Sequence, residues 1–174
     1  MILTRNIVII HILDFYFKCF TFFEVLMVEV VSNSPQQTEQ FAELLGKVLT
    51  GGETIAYFGG LGMGKTRFTA GLARGMGIKA DVSSPTFSLV HEYHGEKTLY
   101  HFDMYRITTF EDLCSTGFYD YLDWGGVLAV EWSENIENAL PEEKLIKIEI
   151  LRGEDDESRI LRMSGESIYE DSWR

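Results

Sequence analysis

Eight residues, Gly59-Gly60-Leu61-Gly62-Met63-Gly64-Lys65-Thr66, fit the pattern G-x-x-x-x-G-K-[ST] of a phosphate-binding loop. The residue types follow from the task. Glycines allow backbone turns closed to other residues, so that successive N–H groups can face inward and wrap an anion. Lys65 can then reach the β- and γ-phosphates of a nucleoside triphosphate, and Thr66 can offer its hydroxyl to Mg²⁺. Thr54 to Phe58 in front reads as a strand and Arg67 to Gly75 behind as a helix, which is the context the motif demands. A helix opening at about Gly64 adds the positive end of its dipole to the same spot. A glycine-rich surface turn with a stray lysine is the plain alternative, and it leaves the glycine spacing unexplained.

Phosphoryl chemistry also needs a carboxylate for the metal and a group that places the attacking nucleophile, both expected at the ends of strands beside the loop's own strand. Val127-Leu128-Ala129-Val130-Glu131 is an apolar run ending in an acid, a Walker B pattern with Glu in place of the commoner Asp. Glu131 could hold Mg²⁺ directly or through its water shell, or merely cap a buried strand. In His101-Phe102-Asp103-Met104-Tyr105-Arg106, strand alternation puts His101, Asp103 and Tyr105 on one face and Phe102 and Met104 on the other. Asp103 is the second candidate acid, with a structural aspartate as the alternative; His101 alone is more often a packed or hydrogen-bonded histidine than a catalyst. Asp123-Trp124-Gly125-Gly126 imitates D-x-x-G but precedes an apolar strand, so it reads as a turn. N-K-x-D is missing, and adenine is the better expectation than guanine.

These groups need a scaffold. Val28 to Val31 reads as a short strand, and Ser34-Pro35-Gln36-Gln37 as a capping box with proline at the first helical position. A helix should run to about Leu49 with Phe41, Leu44, Leu45 and Val48 toward the core. Gly51-Gly52 breaks the chain before the strand that feeds the phosphate loop. Phe87 to Tyr93 and Thr98 to Tyr105 read as a hairpin about Gly95, Phe110 to Asp123 as helical pieces, and Leu145 to Leu151 and Ser158 to Met163 as two late strands. Gly165 to Arg174 is polar and expected to be loose. The fold class expected is α/β, a P-loop NTPase-like three-layer α/β/α arrangement with a mixed, largely parallel central sheet.

A chain of 174 residues, 45% hydrophobic, suits one compact domain. The formal net charge of −12 opposes direct binding of DNA or RNA, because phosphate contacts need Lys and Arg to displace counterions. Cys19 and Cys114 form neither a C-x-x-C pair nor a Cys/His cluster, which fits a reducing cytoplasm. Residues 1–26 are rich in Ile and Phe, but Asp14, Lys18 and Glu24 interrupt them and no small-residue cleavage site follows. The expectation is an ATPase domain over 27–164, with 1–26 either a peripheral apolar appendage or an artefact of start-site choice ahead of Met27, and a polar tail at 165–174.

The elements Gly60-Leu61-Gly62-Met63-Gly64-Lys65-Thr66, Ser84-Pro85-Thr86-Phe87, His101-Phe102-Asp103-Met104-Tyr105-Arg106 and Val130-Glu131-Trp132-Ser133-Glu134 resemble, in order and spacing, the bacterial TsaE family, also called YjeE. The resemblance runs from about Val28 to Met163. It implies a small ATPase required for threonylcarbamoyl-adenosine modification of tRNA, with ATP and Mg²⁺ as cofactors and TsaD and TsaB as partners. By position it implies that Gly60 through Arg67, that is Gly60, Leu61, Gly62, Met63, Gly64, Lys65, Thr66 and Arg67, surround the phosphates. Thr66, Glu131 and Asp103 would serve the metal, and Lys65, Asp103 and Glu131 the chemistry. Ser84 to Phe87 would act as a switch-like segment, Trp132 would lie beside the nucleotide, and Thr38 near the adenine. The chain departs from the family's usual residues at Met63 and Ser133, neither of which removes a functional group. Arg106 is a candidate internal arginine finger, and a partner could complete the clamp instead. A small phosphotransferase is the main rival, though an arginine-rich lid is lacking; a nucleotide-gated binding protein is the second.

Overall fold

The computed structural model describes residues 27–165, 169 and 171–173. The expected appendage at 1–26 lies outside these. The described residues form a seven-stranded sheet from β1 (Met27–Ser32), β2 (Thr54–Phe58), β3 (Val90–Tyr93), β4 (Leu99–Asp103), β5 (Val127–Glu131), β6 (Leu145–Arg152) and β7 (Arg159–Ser164). Their order is β1-β7-β6-β2-β5-β4-β3. The four central strands β6, β2, β5 and β4 are parallel, and β1, β7 and β3 are added antiparallel at the two sides.

Side chains alternate across the sheet, so each face gathers its own core. On one face Ile55, Tyr57, Leu99, Val127, Ala129, Ile146 and Ile148 pack under α1 (Pro35–Val48) and α2 (Lys65–Gly75). On the other, Tyr100, Phe102, Leu128 and Val130 pack with α3 (Phe110–Ser115), α4 (Phe118–Asp123) and the 3₁₀ segment Ser133–Ala139. The result is the three-layer α/β/α arrangement that the sequence implies. Near-continuous burial of β2, β4 and β5 is what a parallel strand covered on both faces requires.

Helix α1 starts as expected: the Ser34 hydroxyl accepts from Gln37 N–H, and Pro35 opens the helix. Its inward face differs from the expectation. Leu44 is 42% exposed, while Ala42, Leu45 and Gly46 are buried. The reason lies in α2, whose Gly71 and Gly75 let the two backbones approach closely. A Cβ at Gly71 would strike the Glu39 carbonyl, and one at Gly75 the Glu43 carbonyl. Leu45 is buried and Phe41 and Val48 pack on the core as expected, so Leu44 alone departs, with the small residues taking the crossing.

Two further expectations give way. Residues 87–89 do not join β3: Pro85 O accepts from Ser88 and Leu89 N–H, Leu89 has φ of 68°, and Phe87 is 91% exposed. The C-terminal stretch is not uniformly loose, because Tyr169 and Trp173 are buried. The Trp173 ring meets Phe41 and Phe68, and its Nε1–H donates to Phe41 O at 3.0 Å. Among the described residues no helix is long and apolar enough to cross a membrane.

Candidate nucleotide site

Three neighbouring parallel strands, β2, β5 and β4, end at the same edge of the sheet. From β2 the chain enters the phosphate loop, whose Gly59, Gly62 and Gly64 have φ of 136°, 76° and 107°. Gly59 is doubly constrained, since a Cβ there would lie 2.5 Å from the Ile150 carbonyl oxygen. Gly64 in the left-handed region is the N-cap of α2, so the first free N–H groups of that helix open at the loop.

Lys65 is buried at the first position of α2. Its Nζ donates to Gly59 O at 2.6 Å and Gly60 O at 2.9 Å, and it lies 3.9 Å from the Trp132 ring centroid. Burial pushes the Lys65 pKa down, against the opposing pull of Glu131, Glu134 and Asp103. An anion seated by the loop would oppose that shift.

Parallel register sets Asp103 beside Glu131 at the ends of β4 and β5. Both acids are buried. Thr66 Oγ1 donates to Glu131 Oε1 at 2.7 Å, and His101 Nε2 lies 2.9 Å from the same oxygen. Asp103 Oδ1 accepts from Tyr105 N–H at 3.0 Å, while Oδ2 accepts from Thr86 Oγ1 at 2.7 Å and, more weakly, from Ser84 Oγ at 3.5 Å. The expected sharing of one face holds for His101 and Asp103. Tyr105 lies past the strand, its ring 4.9 Å from Trp132. Trp132 itself takes φ of 61°, a backbone conformation uncommon for non-glycine residues.

These pieces line one cleft of about 710 Å³, walled by residues 61–67, Ser84, Thr86, Asp103, Tyr105, Glu131 and Trp132. Gly60 is placed just behind, where its carbonyl holds Lys65. Arg67 lines the cleft with its guanidinium paired to Glu39 at 2.8 Å. Thr38 does not line the cleft: it is buried near the start of α1, its hydroxyl 2.7 Å from Ser32 Oγ. Arg106 does not line the cleft either; its guanidinium lies 5.4 Å from the Phe87 ring.

Sequence reasoning missed Arg159. From the start of β7 its Nε donates to Met63 O at 2.9 Å, with a longer contact from its terminal nitrogen to Gly62 O at 3.5 Å. Nothing local marks it, because the partner lies 96 residues away in sequence.

The donor set of Thr66, Glu131 and Asp103 is all oxygen, which suits a hard cation. Among the described residues no group of three or more His, Cys, Asp or Glu forms a metal cage. Mg²⁺ asks less of a protein, one or two carboxylates with phosphate and water completing its shell, and two acids and a hydroxyl are what this cleft offers.

Comparison with known proteins places the chain in a family. The family model for "Threonylcarbamoyl adenosine biosynthesis protein TsaE" matches residues 32–161. Curated relatives named tRNA threonylcarbamoyladenosine biosynthesis protein TsaE include that of Bacillus subtilis, 43% identical over 129 residues, which covers 73% of this chain and 79% of the relative. That of Treponema pallidum is 41% identical over 112 residues, 64% of this chain and 83% of the relative. That of Aquifex aeolicus is 38% identical over 140 residues, 79% and 98%. The crystal structure of Bacillus subtilis YdiB superposes with a TM-score of 0.71 at 33% identity, over 85% of this chain and 92% of that one. With the family model spanning most of the sequence and relatives of this identity covering so much of it, the chain belongs to the TsaE family.

Proposed function

We propose that this protein is a Mg²⁺-dependent ATPase of low intrinsic turnover that supports threonylcarbamoyl-adenosine modification of tRNA by acting on a TsaD–TsaB-like complex. The observation that carries the reading is the convergence of Lys65, Thr66, Asp103 and Glu131 on one cleft. The loop amides and Lys65 bind the phosphates. Thr66 and Glu131, with Asp103 beside them, hold Mg²⁺, which when bound offsets negative charge on the phosphate oxygens. Asp103 orients the water that attacks the γ-phosphorus; the bond to the β–γ bridging oxygen breaks, releasing ADP and phosphate. Trp132 and Tyr105 form an aromatic wall that shields the site from bulk water. The missing guanine-reading motif favours adenine.

Low intrinsic turnover follows from the arginines. Among the described residues Arg67 alone lines the cleft, and Glu39 neutralises it. A transition-state arginine is worth about 10³–10⁵ in rate in other phosphate-loop enzymes. The partner complex supplies that contribution or reorients a residue of this chain to do so. With a net charge of −12, the chain meets tRNA through its partners and not by a basic surface of its own. A reducing cytoplasm suits the exposed free Cys114.

Phosphate release by the purified chain, measured with and without a TsaD–TsaB complex, tests this. Slow release that the complex stimulates is the expected result. Fast release without the complex would overturn the partner dependence, and no release in either case would overturn the ATPase assignment.

A further inference from the structure

His101 does not line the cleft but lies behind Glu131, fully buried, opposite Ala129 in the β4–β5 register and two residues before Asp103. Its strand neighbours on that face are apolar: Leu99 and Ala129 are fully buried too. Packing alone therefore gives no reason for an imidazole. The ring makes one polar contact, Nε2 to Glu131 Oε1 at 2.9 Å, and Nδ1 has no hydrogen-bond partner among the described residues. A carboxylate oxygen accepts, so Nε2 carries the donated proton. An unpartnered buried acceptor such as Nδ1 costs about 1–3 kcal/mol, and a native fold that retains one calls for a reason outside packing.

That reason is found one bond further on. Glu131 Oε1 receives His101 from below and the Thr66 hydroxyl at 2.7 Å from α2, whereas Glu131 Oε2 has no hydrogen bond among the described residues. A hydroxyl whose proton is committed to a fixed carboxylate keeps its lone pairs for a cation. We propose that His101 is a positioning residue: its bond to Oε1 fixes the Glu131 carboxylate, which in turn orients the Thr66 hydroxyl and leaves Oε2 available, raising the affinity of the nucleotide site for Mg²⁺. The inference rests on the Mg²⁺–ATP reading above. Its chemical logic is that of partners behind metal ligands generally, whose loss lowers metal affinity about 10–100-fold.

The test is equilibrium binding of ATP by calorimetry, in excess EDTA and across a Mg²⁺ titration, for the wild type, His101→Leu and His101→Gln. Leucine matches the apolar surroundings and removes the donor; the glutamine amide can reach the place of Nε2. His101→Leu is expected to bind ATP in EDTA as the wild type does, to lose about tenfold in affinity for ATP with Mg²⁺, and to need about tenfold more Mg²⁺ to reach its midpoint. His101→Gln should recover most of both. Should the leucine variant fail to fold, His101→Asn, whose amide falls short of Nε2, takes its place with the same expectation. Equal Mg²⁺ midpoints for the donor-less variant and the wild type, or equal losses with and without Mg²⁺, would overturn the positioning role. A wild type whose ATP binding ignores Mg²⁺ would instead overturn the nucleotide–metal reading itself.

Discussion

On one side of the cleft, residues 59–64 are fastened from several directions; on the other, residues 84–89 depend mainly on Asp103. Lys65 holds the carbonyls of Gly59 and Gly60, Arg159 holds that of Met63, and Gly59 lies against Ile150. When carbonyls are tied on the outside, the amides between them are free to face the anion. The opposite segment is anchored near its start, where the Tyr93 hydroxyl meets Ser83. Beyond that point its tie to the sheet is Thr86 Oγ1 on Asp103, supported by Ser84, with Leu89 O accepting from Asp103 N–H behind it. One wall is organised before a ligand arrives. The other hangs on Asp103.

Removing the acids breaks the comparison most severely. Asp103→Ala removes both the group proposed to orient the water and the anchor of residues 84–86, and Glu131→Ala removes the partner of Thr66. Turnover measured by phosphate release should fall about 10²–10³-fold in each. Both should also raise the Mg²⁺ requirement of ATP binding, Glu131→Ala the more, about tenfold or above, because it also frees the Thr66 hydroxyl.

Arg159→Gln loosens the fixed wall. A hydrogen bond from a charged donor contributes about 1.5–3 kcal/mol, and 1.4 kcal/mol is tenfold in affinity. ATP affinity by calorimetry should therefore drop about tenfold. Arg159 also donates to the carbonyls of Asp156 and Ser158, so the thermal midpoint should fall as well.

Thr86→Val releases the other wall at its hydroxyl. Stability should change by about 1 kcal/mol or less in denaturant titration. ATP affinity should stay within about twofold, because Lys65 and the loop amides are untouched, while turnover shifts severalfold as Asp103 loses its partner.

The smallest effect is a proton. Burial lowers the Lys65 pKa below its ordinary value of 10.5. In the window between the two values the unfolded chain holds more protons than the native one, so the stability contributed at Lys65 rises with pH there. Bound phosphates favour the ammonium and raise its pKa, so ATP binding at alkaline pH should take up a fraction of a proton. Calorimetry in buffers of different ionisation enthalpy reads this directly.

The two walls were not equally legible in the sequence. Residues 59–66 are written in local spacing, and so is the apolar run that delivers Glu131. Asp103 was reachable because strand alternation is a period of two. What local patterns cannot carry is contact between distant segments: Arg159 reaches Met63 from β7, and Trp173 returns to Phe41. Helix α1 shows a second limit. Counting large apolar residues put Leu44 inward, whereas Ala42 and Gly46 sit where α2 can approach through Gly71 and Gly75. Phe87 shows a third, because an apolar residue after Ser-Ser-Pro-Thr belongs to a turn that Pro85 O closes and not to the strand that follows.

The central claim is that this cleft holds a triphosphate through Lys65 and the loop amides. Titrating wild type and Lys65→Ala with ATP, and wild type with AMP, in Mg²⁺ buffer, tests it most directly. Saturable one-to-one ATP binding by the wild type is expected, weakened about 100-fold or more in Lys65→Ala and for AMP, since each loses charge-assisted contacts to the β- and γ-phosphates. ATP binding that survives unchanged in a folded Lys65→Ala protein, or AMP bound as tightly as ATP, would contradict it.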